Sequence, residues 1–88
     1  MKKFVSVLGS TGSIGLNALE IFKKKKNLFK INVLVANKNY RKICNQIKNL
    51  KPNIFVVNDT NVFKKVKKRF NNKKFKILNK IFKINNLK

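Results

Sequence analysis

Apolar and polar residues alternate between two rhythms along the chain. Phe4-Val5-Ser6-Val7-Leu8 is a short, mainly apolar run that stops at Gly9, as expected of a strand buried on both faces. Ile14, Ala18, Ile21 and Phe22 then recur at i, i+4, i+7 and i+8, one apolar face of a helix whose C-terminal end carries Lys23 to Lys26. After a connection over residues 27–30, Ile31-Asn32-Val33-Leu34-Val35-Ala36 predicts a second strand. Tyr40, Ile43, Cys44, Ile47 and Leu50 return to helical spacing, and Pro52 closes that helix. Ile54-Phe55-Val56-Val57 predicts a third strand. Asp59 or Thr60 can then cap a third helix with Val62, Phe63, Val66 and Phe70 inward and Lys64, Lys65, Lys67 and Lys68 in water. Phe75-Lys76-Ile77-Leu78 predicts a fourth strand; Ile81, Phe82, Ile84 and Leu87 follow without a clear period, so residues 79–88 stay unassigned.

Strand and helix alternate throughout, which implies an α/β fold: a parallel sheet joined by right-handed crossover helices. Ligands of such sheets bind at the C-terminal edge of the strands, where Gly9, Ala36 and Asn58 all arrive. All three glycines of the chain stand in one stretch at that edge, Gly9-Ser10-Thr11-Gly12-Ser13-Ile14-Gly15, between the first strand and the first helix. Glycine permits positive φ and close approach of a pyrophosphate, and the free N–H groups and dipole of a helix N-terminus attract its charge. The hydroxyls of Thr11 and Ser13 add two donors. The G-x-x-G-x-x-G spacing differs from the common G-x-G-x-x-G dinucleotide fingerprint, but the strand before it and the helix after it support a phosphate-binding turn, with a tight turn that holds no ligand as the alternative. With this turn in place the fold is expected to be a partial Rossmann-like parallel sheet with flanking helices, about four strands and three helices, over residues 1–78.

The residues after the second strand bear on which dinucleotide is bound. An acid there would hold the ribose of NAD, whereas a cation suits the phosphate of NADP. No acid occurs between Glu20 and Asp59, and Lys38 stands between Asn37 and Asn39, which favours NADPH.

Composition changes the picture mainly through charge. A net charge of +21 over 88 residues suggests nucleic-acid binding. Yet Lys, Asn, Ile and Phe supply 53 of the 88 residues, and these are the amino acids that codons of A and T most readily specify. A bacterial genome rich in A and T would therefore produce a basic surface without a basic function. The charge is also spread along the chain, so specific nucleic-acid binding is the alternative reading, tested by its salt slope. Cys44 is the single cysteine and there is no histidine, so an internal disulfide and a cysteine or histidine zinc cluster are excluded. Cys44 reads as a small core residue, and a reduced, cytoplasmic setting is expected. The glycines interrupt the first apolar run too early for a signal sequence, and no stretch is long enough for a membrane span.

The set Leu8-Gly9-Ser10-Thr11-Gly12-Ser13-Ile14-Gly15, then Leu34-Val35-Ala36-Asn37-Lys38-Asn39, with Lys51-Pro52 before the third strand, resembles the N-terminus of the 1-deoxy-D-xylulose 5-phosphate reductoisomerases over roughly residues 3–78. Semialdehyde dehydrogenases share a similar glycine turn but rely on a downstream catalytic cysteine, which Cys44 on a helix face does not match. The resemblance implies NADPH-dependent conversion of 1-deoxy-D-xylulose 5-phosphate to 2-C-methyl-D-erythritol 4-phosphate in non-mevalonate isoprenoid biosynthesis, by a homodimer that uses a divalent metal, Mg or Mn. It further implies that Thr11, Gly12, Ser13 and Ile14 hold the cofactor's phosphates and that Lys38 and Asn39 hold its adenosine 2′-phosphate end. The family usually has glycine where this chain has Asn37. Glu20 and Asp59, the only acids, do not make a metal site, and Asp59 reads as a helix cap. The chain is thus expected to be a cofactor-binding portion, inactive alone, without the catalytic and C-terminal domains of the family.

Overall fold

The computed structural model describes residues 2–71 and 75–79. Seven elements follow in the order β1 (Lys3–Leu8), α1 (Ser13–Lys24), β2 (Phe29–Ala36), α2 (Tyr40–Leu50), β3 (Ile54–Val57), α3 (Thr60–Arg69) and β4 (Lys76–Leu78). The strands form one parallel sheet in the order β1-β2-β3-β4. This is the α/β, Rossmann-like arrangement that the sequence predicts. β2 starts at Phe29, inside the expected connection, and the unassigned tail lies outside the described residues except for Asn79.

Because each strand is added on the same side of its predecessor, right-handed crossovers carry all three helices to one face of the sheet. The main core lies there: Leu19 of α1, Ile43 and Ile47 of α2 and Val66 of α3 meet Leu34, Ala36, Phe55 and Val57. On the opposite face Val33, Val35 and Val56 form a second cluster with Ile54 and Leu78, and no described helical residue joins it. The period-2 alternation of strand side chains produces this division. One irregularity interrupts it: pairing steps from Val5 with Ile31 to Ser6 with Val33, skipping Asn32. That bulge lets both Ile31 and Leu34 face the helices despite their odd spacing.

Two burial expectations are corrected. Among the described residues β1 pairs with β2 alone and is not buried on both faces, with Val7 buried but Phe4 65% and Leu8 68% exposed. Its apolar composition could not reveal that only one neighbour pairs with it among the described residues. In α1 the inward face is not the one through Ile14 and Ile21, which are 87% and 56% exposed. Gly15 and Leu19 are buried instead, with Ala18 and Phe22 half-buried. The reason is steric: α1 presses so closely on the preceding turn that only glycine fits at position 15, and this fixes the helix's rotation.

α2 ends at Leu50 through Lys51, which takes the left-handed conformation (φ 48°, ψ 57°) and donates its N–H to the Ile47 carbonyl at 3.2 Å. A side chain there carries strain that glycine lacks. Lys51→Gly should therefore stabilise the fold by about 0.5–1 kcal/mol, read as a rise in the midpoint of a denaturant melt.

Candidate functional site

At the C-terminal edge of the sheet the turn after β1 is folded tightly on itself. Gly9 has φ +71°, which L side chains rarely adopt, and its carbonyl accepts the Gly12 N–H at 3.0 Å. Gly15 lies against the same carbonyl: a Cβ there would stand 2.1 Å from Gly9 O and 2.9 Å from Ser10 Cα. α1 can begin at Ser13 only because both positions are glycine.

The first turn of α1 is left open. Gly12 is its N-cap and offers no side-chain acceptor, and no acid stands in the first turn. The first ladder bond runs from Leu16 N–H to the Gly12 carbonyl (2.8 Å). The N–H groups of Thr11, Ser13, Ile14 and Gly15 make no hydrogen bond among the described residues. Gly12, Ser13 and Ile14 are exposed and Thr11 is half-buried. Several free donors at the positive end of a 12-residue helix form an anion cradle.

The second predicted group lies beside the first. Leu8 pairs with Val35, and Ser10 donates its N–H to the Val35 carbonyl at 2.9 Å, which ties the turn to the end of β2. Asn37, Lys38 and Asn39 follow at once and all are exposed. Asn39 is the N-cap of α2, its Oδ1 accepting the Lys42 N–H at 3.2 Å, so the cap uses only its oxygen. Lys38 is therefore a cation at the N-terminal end of a second helix that has no acid in its first turn. Lys51 is the single described non-glycine residue with positive φ, so Asn37 takes its place without backbone strain.

The end of β3 closes this edge. Asn58 N–H donates to the Ala36 carbonyl (2.9 Å) and Asp59 N–H to that of Asn37 (3.1 Å). Asp59 caps α3, its Oδ2 accepting the Val62 N–H at 3.0 Å. Its carboxylate therefore serves the helix rather than a ligand, and Glu20 stands apart, exposed on α1. Among the described residues no three of His, Cys, Asp and Glu come together, and these residues do not fit a metal ion. The Tyr40 side chain is the main influence holding Arg69 above its ordinary pKa.

Three residues that sequence reasoning missed contribute to this edge. Asn79 donates through Nδ2 to the Val57 carbonyl at 3.0 Å, pinning β4 to the end of β3. Ser10 and Gln46 are buried and bonded to each other across 36 positions. The available signal was Gln46 itself, a polar residue three positions after Ile43 on the buried face of α2. A cavity of about 430 Å³ between Ile47, Pro52, Phe70 and Phe75 lies at the opposite end of the sheet and does not belong to this site.

Comparison with known proteins gives a consistent answer. The sequence profile of 1-deoxy-D-xylulose 5-phosphate reductoisomerase matches residues 5–85. The Pelagibacter ubique protein of that name is 42% identical over 98% of this chain, and that of Buchnera aphidicola from Schizaphis graminum is 43% identical over 86%. The chain spans 24% and 19% of those two bacterial relatives. Among solved structures, the Zymomonas mobilis 1-deoxy-D-xylulose 5-phosphate reductoisomerase in complex with NADPH superposes with a TM-score of 0.82 at 23% identity, covering 90% of this chain and 21% of that one. A reductoisomerase in complex with magnesium gives 0.81 at 20% identity. No helix among the described residues is long and apolar enough to cross a membrane. With the profile covering nearly its whole length, the chain belongs to the 1-deoxy-D-xylulose 5-phosphate reductoisomerase family.

Proposed function

We propose that residues 1–78 are the NADPH-binding portion of such a reductoisomerase. The observation that carries this reading is the set of N–H groups at the start of α1 that have no partner among the described residues, held beside the Lys38–Asn39 segment by the Ser10–Val35 bond. Thr11, Gly12, Ser13 and Ile14 would hold the pyrophosphate, and Lys38 with the amide of Asn39 the adenosine 2′-phosphate. The absence of a carboxylate directly after β2 favours NADPH over NADH.

Bound NADPH supplies a hydride. This chain's own residues bind and orient its adenosine half, and the metal (Mg or Mn) and 1-deoxy-D-xylulose 5-phosphate fall to other parts of a family enzyme. Homodimerisation and a cytoplasmic setting belong to the same proposal.

Fluorescence titration with NADPH and NADH at about 150 mM salt, where exposed charges are screened beyond about 8 Å, tests the reading. NADPH should bind about tenfold more tightly, roughly 1.4 kcal/mol, and Lys38→Ala should remove most of that difference. Equal, weak binding of both, untouched by the substitution, would overturn it. Tight, salt-steep binding of an oligonucleotide in that case would support the polycation reading.

A further inference from the structure

We infer that Gln46 is a positioning residue for the phosphate cradle, acting through the Ser10–Thr11 peptide; the inference rests on the NADPH reading above. Ser10 Oγ donates to Gln46 Oε1 at 2.7 Å, and Gln46 Nε2 donates to the Ser10 carbonyl at 2.8 Å. Ser10 is 0% and Gln46 6% exposed, so water does not substitute for either bond. A reciprocal pair of this kind admits one amide orientation, with nitrogen toward the carbonyl.

Stereochemistry gives the pair its role. The described chain has no cis peptide, and in a trans peptide the C=O and the following N–H point in opposite directions. Holding the Ser10 carbonyl on Gln46 therefore directs the Thr11 N–H away from the helix layer, and that N–H has no partner among the described residues. Without Gln46 this peptide could rotate about ψ of Ser10 and φ of Thr11 and withdraw a donor from the cradle. Gln46 also lies on α2, whose N-terminus carries Lys38 and Asn39, so one side chain fixes the turn relative to the adenosine end. Its function is alignment, not contact with the cofactor.

Gln46→Leu and Gln46→Glu test this. The leucine variant loses both bonds. It should bind NADPH and NADH each about tenfold more weakly with their ratio preserved, unlike Lys38→Ala, which changes the ratio. The glutamate variant accepts from Ser10 Oγ when ionised but donates to the carbonyl only when protonated. Glu20 and Lys23 of α1 line the same shallow hollow as Gln46, whose other lining residues are uncharged.

Affinity for NADP⁺ of Gln46→Glu, taken as a ratio to the wild type at each pH, should be about tenfold low at pH 8 and return to within about twofold at pH 5. A ratio near one at pH 8, or a deficit identical at both pH values, would overturn the inference. Failure of the wild type to bind would instead reject the NADPH reading.

Discussion

Replacing Gly15 with alanine should abolish NADPH binding and lower stability by about 3 kcal/mol or more. The added Cβ would stand 2.1 Å from Gly9 O and 2.9 Å from both Gly9 C and Ser10 Cα. These are backbone atoms with no rotamer to yield, so either α1 moves outward or the turn opens. Overpacking of this kind costs about 1–3 kcal/mol where neighbours can adjust, and more where they cannot. A domain of this size has about 4–13 kcal/mol in total, at roughly 0.05–0.15 kcal/mol per residue. Gly12→Ala is the informative companion, because its Cβ would make only an ordinary 3.5 Å contact with Gly9 O. It should melt within about 1 kcal/mol of the wild type, the usual cost of alanine at an N-cap, yet bind NADPH more weakly, since in the proposed cradle the methyl group would stand where the pyrophosphate approaches. If Gly15→Ala melted and bound normally, the close approach of turn and helix would be wrong.

Phe55→Ala should cost about 3–5 kcal/mol, the usual range for emptying a buried phenylalanine site. Phe55 is 0% exposed in β3, between β2 and β4, and belongs to the cluster joining all three helices to the sheet. Against a total of about 4–13 kcal/mol, this deletion removes most or all cooperative folding. A chemical melt of the variant should have no flat native baseline at room temperature. Phe4→Ser, at an exposed position of β1, should leave the midpoint nearly unchanged, and a comparable loss from both would contradict the burial described above.

The contrast between Phe55 and Phe4 also marks what was legible in the sequence. Both lie in short apolar runs bounded by turn residues, and both runs are strands. Local pattern supplied the strands and helices, the cap at Asp59, and the meeting of the glycine turn with Lys38 at one edge; the cap at Asn39 emerged only in the structure. It did not supply strand order, which depends on partners far along the chain, so β1 looked as buried as β3. The rotation of α1 was hidden for another reason. Its governing residue is Gly15, which an apolar count ignores, while Ile14 and Ile21 give an equally good helical stripe. Gln46 was hidden because its bonding partner is 36 positions away and partly main chain.

The pairing of β1 with β2 alone among the described residues has a dynamic consequence for the turn it carries. A strand with one hydrogen-bonded neighbour belongs to the least protected tier of a sheet, and its amides exchange with solvent through openings that leave the interior strands intact. The turn at its end then depends on two anchors, the Val35 carbonyl beside it and the helix layer beneath. A ligand that bridges the turn to the Lys38 segment would tether both sides of the β1–β2 seam. On the proposed reading, cofactor occupancy and slow exchange of the first strand are thermodynamically linked, since a ligand held by the turn would also hold the strand.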